Sequence, residues 1–176
     1  LIDKGRVPTV NHFPDPAQSM DDVNAALQAI ASGAVKCKTL VIDTVNSVEQ
    51  LIHKQTREDM FNNDPAAFMA FQGGYDAALP AVESFISLLR RVHARGIAIA
   101  MIAHTKVEGF KNPLGPDYDR YVPTVHKKTW ILLNGFADLV LFANYEAVAS
   151  TEKDTKAPKG KMKVTTAASQ AYLYPI

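Results

Sequence analysis

The stretch Lys38-Thr39-Leu40-Val41-Ile42-Asp43-Thr44 decides the fold. Its apolar, β-branched centre is typical of a strand that is buried on both faces of a parallel sheet. Two further apolar runs follow along the chain, Ile97–Ala103 and Ala137–Tyr145. Because helical patterns alternate with these runs, the sequence predicts an α/β fold with a mostly parallel sheet and helices on both faces.

The predicted helices have recognisable ends. Ser19 is a capping residue with Asp22 three positions later, and Gly33 ends the helix that Ser19 begins. Apolar periodicity predicts further helices over about 46–60, 77–95 and 124–135.

The segments between and after these elements are predicted from their turn residues. Residues 61–76 are predicted to form a packed loop, and Lys106–Val122 a long loop rich in Gly and Pro. Pro123 is predicted as the first residue of the helix that follows. At the C-terminus, Lys161–Thr165 and Gln170–Tyr174 are predicted to form a hairpin.

Length and composition exclude several classes of protein. The chain has 176 residues, 47% of them apolar and 21% charged, as expected for one globular domain. We divide it into a core over 1–146 and a Lys-rich turn with the hairpin over 147–176. The net charge of +1 restricts any nucleic-acid surface to a local patch. The single Cys37 excludes an internal disulfide and fits a reducing, cytoplasmic compartment. No apolar run reaches the roughly 18 residues of a membrane span, so no membrane partner is expected.

Polar residues close the apolar strands, in the pairs Asp43-Thr44, His104-Thr105 and Asn144-Tyr145. Ligands of open α/β sheets bind beyond the carboxyl ends of the strands. An acid at such a position has the form of a Walker B element, which holds the magnesium water shell beside nucleotide phosphates. Asp43 is the candidate acid, and its alternative role is to cap the helix near Asn46. His104 is a candidate sensor of the terminal phosphate, or a strand-end histidine in a local hydrogen bond.

A nucleotide site of this kind needs a phosphate cradle, G-x-x-x-x-G-K-S/T, and the sequence contains none. The nearest stretch, Gly33–Thr39, lacks the second Gly and leads into a strand. The sequence opens with Leu1-Ile2-Asp3, which has the pattern of a strand's end. We therefore expect a fragment whose cradle lies upstream, and we expect the fragment alone to be inactive.

Four stretches together resemble a known family. They are KTLVIDTVNSVEQLI (38–52), GGYDAALPAVESFISLLRRVHARGI (73–97), IAMIAHTKVEGFKNPLGPDYDRY with VHKKTWILL (99–133), and ADLVLFANYE (137–146). In order, they resemble the phage nucleotide-binding proteins of the RecA-like AAA/P-loop ATPase class, which are associated with single-strand annealing. The resemblance covers residues 1–146 and implies a RecA-like core, ATP with Mg²⁺, and Mg-dependent ATPase activity in DNA recombination.

The same resemblance implies roles for individual residues. Asp43 matches the magnesium-holding acid, with Thr44 beside it in the nucleotide site, and His104 matches the polar sensor. Lys106–Val122 matches a mobile DNA-binding loop. A catalytic Glu often follows the strand that ends here as Leu1-Ile2-Asp3, so Asp3 is a substitute candidate and the general base stays open.

The loop itself alternates basic and aromatic residues, as a single-stranded DNA surface would. The candidates are Lys106, Lys111, Tyr118, Arg120 and Tyr121. Acids in the same stretch leave a solvated mixed-charge loop as the alternative.

Lys127 and Lys128 lie near the start of a predicted helix, where cations oppose the helix dipole. An outside anion would resolve this conflict, so we predict that one of them reaches the γ-phosphate of a neighbouring subunit in a ring or filament. The alternative is that both are solvated or pair with Asp117 and Asp119.

The sequence leaves two other classes of function as alternatives. A RecA-like module without catalysis would bind DNA or a partner, such as a single-strand-binding or annealing protein. A P-loop kinase is disfavoured because the long loop is not an Arg-rich lid. For a phage protein, the host cytoplasm is the expected location.

Overall fold

The structure is a computed structural model that describes residues 13, 15–145 and 171–175. The chain divides into two compact units, 1–133 and 134–176. The predicted division after residue 146 stays a prediction. None of the described helices is long and apolar enough to cross a membrane.

The first unit contains the parallel strand pair that the sequence predicts. Strand β1 (Thr39–Asp43) pairs with β2 (Ala98–Ile102), in a register that sets Asp43 opposite Ile102. The expectation that both faces are buried is wrong for these strands, since exposure alternates along each of them. Val41 and Ile102 are 49% and 44% exposed. Among the described residues, the reason is that no second layer covers the face to which these side chains point.

The core of the first unit lies among helices. Helix α1 (Met20–Ser32) is confirmed, with a capping box between Ser19 and Asp22 and with Gly33 in the left-handed conformation at φ +87°. Helix α2 covers Val45–Met60. The side chains that are most completely buried belong to α1, α2 and the long helix α4 (Gly73–His93), and they are Ile30, Ile52, Val82, Leu89 and Val92.

Two segments predicted as loops are ordered elements. Within 61–76, Asp64 caps a short helix α3 (Pro65–Met69), a 3₁₀ turn follows, and α4 begins at Gly73, four residues earlier than Ala77. Phe68 is buried, which confirms that this segment packs.

The second segment, Lys106–Val122, is a β-hairpin. Strand β3 (Thr105–Phe110) pairs antiparallel with β4 (Tyr118–Pro123). The register sets Glu108 opposite Arg120 and Phe110 opposite Tyr118, and an aromatic pair such as Phe110 with Tyr118 stabilises a ladder.

The helix after the hairpin starts later than predicted. Pro123 ends β4, opposite Thr105, so it is not the first helical residue. Proline fits this place because it is tolerated at strand ends. Helix α5 covers Lys127–Phe136.

In the second unit, β5 (Leu141–Tyr145) pairs antiparallel with β6 (Ala171–Pro175). The strand predicted from Ala137 is therefore shorter, and the predicted strand Gln170–Tyr174 finds its described partner in β5. The other half of the predicted hairpin, Lys161–Thr165, lies outside the described residues. Only one of the three described pairings is parallel, so "mostly parallel" is wrong for the described strands, whereas the α/β class is confirmed.

Candidate functional site

The carboxyl edge of the parallel pair brings two predicted site residues to the same side of the sheet. Asp43 is the last residue of β1, and His104 follows β2 by two residues. Both side chains are exposed. Because the strands run in parallel with Asp43 opposite Ile102, both residues lie where ligands of open α/β sheets bind.

Asp43 does not cap helix α2. The N-cap is Thr44, whose hydroxyl oxygen accepts the Ser47 N–H at 3.3 Å. The Asp43–Thr44 peptide bond is cis. The Asp43 carboxylate takes part in none of the hydrogen bonds or ion pairs found within residues 15–145.

Asn46 connects this edge to the hairpin. Its side-chain oxygen accepts the His104 N–H at 2.8 Å, and its amide nitrogen donates to the Thr124 hydroxyl at 2.6 Å. Thr124 in turn donates its own N–H to the His104 carbonyl at 2.9 Å. Among the described residues, the hydrogen bonds of His104 are thus made by its backbone with distant residues, and His104 lies at the exposed edge.

Glu49 supplies a buried carboxylate one helical turn further along α2. Both of its oxygens accept the His126 N–H, at 2.9 and 3.1 Å, at the start of α5. His53 Nε2 lies 4.0 Å from the same carboxylate. Burial lowers the pKa of His53, the Glu49 charge opposes that shift, and His126 adds to it. The lowered pKa favours the neutral form of His53, and Glu49 holds the His126 N–H, so both residues belong to the framework of the unit.

The His126 ring is fixed from several sides. It stacks on Tyr75 with centroids 4.2 Å apart and an interplanar angle of 3°. Its Nδ1 accepts the Lys128 N–H at 3.4 Å, and its Nε2 lies 3.1 Å from the Gln72 side-chain oxygen. The ring is therefore held by one aromatic contact and two polar contacts.

Lys127 and Lys128 each pair with an acid of the same chain. Lys127 Nζ lies 3.5 Å from Glu108 Oε1, and Lys128 Nζ bonds to the Asp76 carboxylate. The expected alternative, pairing with Asp117 and Asp119, is wrong for the geometry seen here: Asp117 pairs with Lys111 at 2.7 Å.

The start of α5 also contains its own anion. The Glu49 carboxylate sits at the helix N-terminus, where negative charge stabilises the dipole. The two lysines therefore do not need an outside anion to offset their position. The electrostatic argument that Lys127 or Lys128 acts in a neighbouring subunit is therefore weaker than the sequence alone indicates.

The hairpin presents a mixture of aromatic and charged groups. The Arg120 guanidinium lies 4.5 Å from the Phe110 ring centroid, and the Phe110 and Tyr118 rings are 5.2 Å apart. Tyr118 and Tyr121 are each about half exposed. Near the turn, a cavity of about 300 Å³ is lined by Gly109, Phe110, Lys111, Asp117, Tyr118 and Asp119. Lys106 Nζ lies 3.7 Å from Glu108 Oε2, so two of the predicted basic residues, Lys106 and Lys111, form ion pairs with acids.

A magnesium ion of the nucleotide type fits the Asp43 edge. Residues 15–145 contain no group of three side chains that would enclose a metal. Mg²⁺ in nucleotide sites keeps several waters and is held by one or two carboxylates together with substrate phosphates. One exposed carboxylate is what that arrangement requires of the protein. Asp3, the candidate general base, lies outside the described residues.

Sequence reasoning missed the residues that hold this region together. Glu49 is buried on α2 in a series with Val45, Ile52 and Thr56. The sequence signal that could have identified Glu49 is an acid at a position where the helical period predicts an apolar residue. The hydrogen bonds from Asn46 to His104 and Thr124 join residues 58 and 78 positions apart, and no local sequence pattern predicts them.

Asp43 lies at the carboxyl edge of the parallel pair, the place where open α/β sheets bind their ligands. The comparison with protein families makes this specific: the model of an AAA domain family, AAA_24, matches residues 2–171. The chain belongs to this AAA domain family, whose members are ATPase-type nucleotide-binding domains. Comparison with curated proteins and with solved structures gave no match.

Proposed function

We propose that this protein is a Mg-dependent ATPase with a RecA-like core that acts in phage DNA recombination or single-strand annealing. The observation that carries the proposal is the exposed Asp43 carboxylate, which has no partner among the described residues, at the edge shared by β1 and β2. The family match supports ATP as the nucleotide. Magnesium, when bound, neutralises charge on the phosphates during transfer.

The residues at the edge have separate tasks in this proposal. Asp43 holds the hydrated magnesium, and the exposed His104 ring senses the terminal phosphate. Thr44 fixes the first turn of α2 through Ser47, and in this way it holds the backbone that carries Asp43. The chain has no G-x-x-x-x-G-K-S/T motif, so we propose that the phosphate cradle comes from outside these 176 residues.

The hairpin is the proposed contact for single-stranded DNA. Tyr118 and Tyr121 offer half-exposed rings on which bases can stack, and Lys106, Lys111 and Arg120 offer charge to phosphates. We further propose a homo-oligomer, ring or filament, in the cytoplasm of a host cell, with a single-strand-binding or annealing protein as a second partner.

The second candidate function is a RecA-like module that binds DNA or a partner without catalysis. The observation that favours it is the missing cradle motif, because backbone amides of such a loop are what hold the phosphates. A module of this kind would bind DNA through the hairpin and would not hydrolyse ATP.

Hydrolysis by the full-length protein separates these functions. We expect Mg-dependent ATP hydrolysis, and we expect Asp43→Ala to lower it by about 10²-fold or more because charge stabilisation in the transition state is lost. Asp59→Ala is the matched control, since Asp59 is an exposed aspartate on α2. Activity of Asp43→Ala within tenfold of the parent would remove Asp43 from the site. DNA binding without hydrolysis in the parent would favour the module.

A further inference from the structure

Three residues from separate elements form a closed set of hydrogen bonds. Asn46 lies in the first turn of α2, His104 directly precedes β3, and Thr124 directly follows β4. Besides the three bonds already described, the Thr124 hydroxyl donates to the His104 carbonyl at 3.3 Å. Each pair among the three residues is therefore joined by at least one hydrogen bond.

The position of this set along the chain gives it a consequence. His104 and Thr124 flank the whole hairpin, so a bond between them closes its base. Asn46 is the third residue after Asp43, and it bonds to both of them. The base of the hairpin is thus attached to the same helical turn that follows the exposed acid.

The chemistry of this place suits a side-chain amide. The oxygen of Asn46 faces a backbone donor, the His104 N–H, and its NH₂ faces an oxygen, the Thr124 hydroxyl. A carboxylate offers only acceptors, and an alanine offers neither group. The Thr124 hydroxyl accepts from the Asn46 amide and donates to the His104 carbonyl, and the His104 N–H donates back to Asn46. Every donor in the set therefore faces an acceptor.

We propose that Asn46 is a positioning residue that closes the base of hairpin β3–β4 and couples it to the Asp43 edge, so that nucleotide bound at this edge orders the hairpin. The identity of the ligands rests on the proposed function, whereas the closing of the base rests on the bonds alone. Asn46 acts through His104 and Thr124 and needs no contact with nucleotide.

The first test is amide hydrogen exchange of the full-length protein without nucleotide. In Asn46→Ala, we expect exchange at the His104 and Thr124 amides to be faster by about tenfold, which corresponds to one lost hydrogen bond. Asn46→Asp keeps the acceptor for the His104 N–H, and the Thr124 hydroxyl can turn to donate to the new carboxylate. We therefore expect Asn46→Asp to restore most of the protection at His104.

Ser47→Ala is the matched control, because Ser47 lies in the same turn and its hydroxyl contacts only Thr44 among the described hydrogen bonds. We expect exchange at the two amides to stay within about twofold of the parent in this control. Unchanged exchange in Asn46→Ala, or an equal increase in Ser47→Ala, would overturn the proposal.

The second test adds a readout that a purely structural role would not change. In the parent, Mg²⁺ with a slowly hydrolysed ATP analogue is expected to slow exchange across Thr105–Pro123. In Asn46→Ala this response should disappear while the affinity for the analogue stays within about threefold. A response that persists in Asn46→Ala would overturn the coupling. A parent that binds no analogue contradicts the proposed function, and the first test still decides whether Asn46 closes the hairpin.

Discussion

Two acids that lie six residues apart in the sequence, Asp43 and Glu49, have opposite surroundings. Asp43 ends β1 with an exposed carboxylate that has no partner among the described residues, whereas Glu49 is buried and accepts the His126 N–H with both oxygens. A charge that the fold has already satisfied stabilises the fold, and a charge left open at a strand edge is available to a ligand. The two cations at the start of α5 resemble Glu49 in this respect, since Lys127 and Lys128 each pair with an acid of the same chain.

A role of Lys127 or Lys128 in a neighbouring subunit would contradict the rule that paired charges serve the fold, because the lysine would have to leave its acidic partner. Exposed ion pairs contribute little, about 0–1 kcal/mol, so an assembled neighbour can compete for them. If Lys127 or Lys128 contacts the γ-phosphate that a neighbouring subunit binds, the double variant Lys127→Ala/Lys128→Ala in the full-length protein should lower ATP hydrolysis by roughly 10³-fold or more.

Mixing variants tests this prediction. An Asp43→Ala subunit with intact lysines and a double-lysine variant with intact Asp43 should together regain part of the activity that each lacks. A mixture that assembles and stays inactive would limit the lysines to their pairs with Glu108 and Asp76.

Stability measurements sharpen the comparison between the two acids. Glu49→Ala leaves the His126 N–H without its acceptor, and we expect a loss of about 1–3 kcal/mol in the free energy of unfolding. Asp43→Ala removes no protein contact in the described region and should stay within about 0.5 kcal/mol of the parent. Urea unfolding of both variants measures the difference. Equal losses would show that Asp43 is also a structural acid.

The sequence was sufficient for the features that depend on neighbouring residues. The apolar run 39–43 with its terminal acid predicted β1 and placed Asp43 at its end, and Ser19 with Asp22 predicted the start of α1. His104 was found in the same way, from the end of an apolar run.

Features that depend on distant partners were missed. Pro113, Gly115 and Pro116 favour irregular chain and so predict a loop, yet all three lie in the turn of the hairpin, between its strands. Its ladder depends on strand pairing between residues on either side of the turn, such as Glu108 opposite Arg120. Pro123 matched a helix start equally well, and only its pairing with Thr105 assigns it to β4.

The smallest expected effect is on DNA binding by the hairpin, because two of its basic residues already pair with acids. Lys106→Ala, Lys111→Ala and Arg120→Ala together should reduce the salt slope of single-stranded DNA binding by about 2, or about 0.7 for each phosphate contact. A matched control removes three exposed cations elsewhere, with Lys36→Ala, Lys54→Ala and Arg91→Ala. A slope that is unchanged in the hairpin variant, or changed equally in the control, would remove DNA from the proposal.

The most direct test of the central claim is metal binding at Asp43. Mn²⁺ can replace Mg²⁺ in an oxygen-ligand site and is followed by the relaxation of bulk water protons. In the full-length protein with ATP, we expect saturable Mn²⁺ binding that Asp43→Asn weakens by at least about tenfold, since a neutral amide replaces the carboxylate, while Asp59→Asn binds as the parent does. Equal Mn²⁺ affinity in Asp43→Asn and the parent would contradict the account.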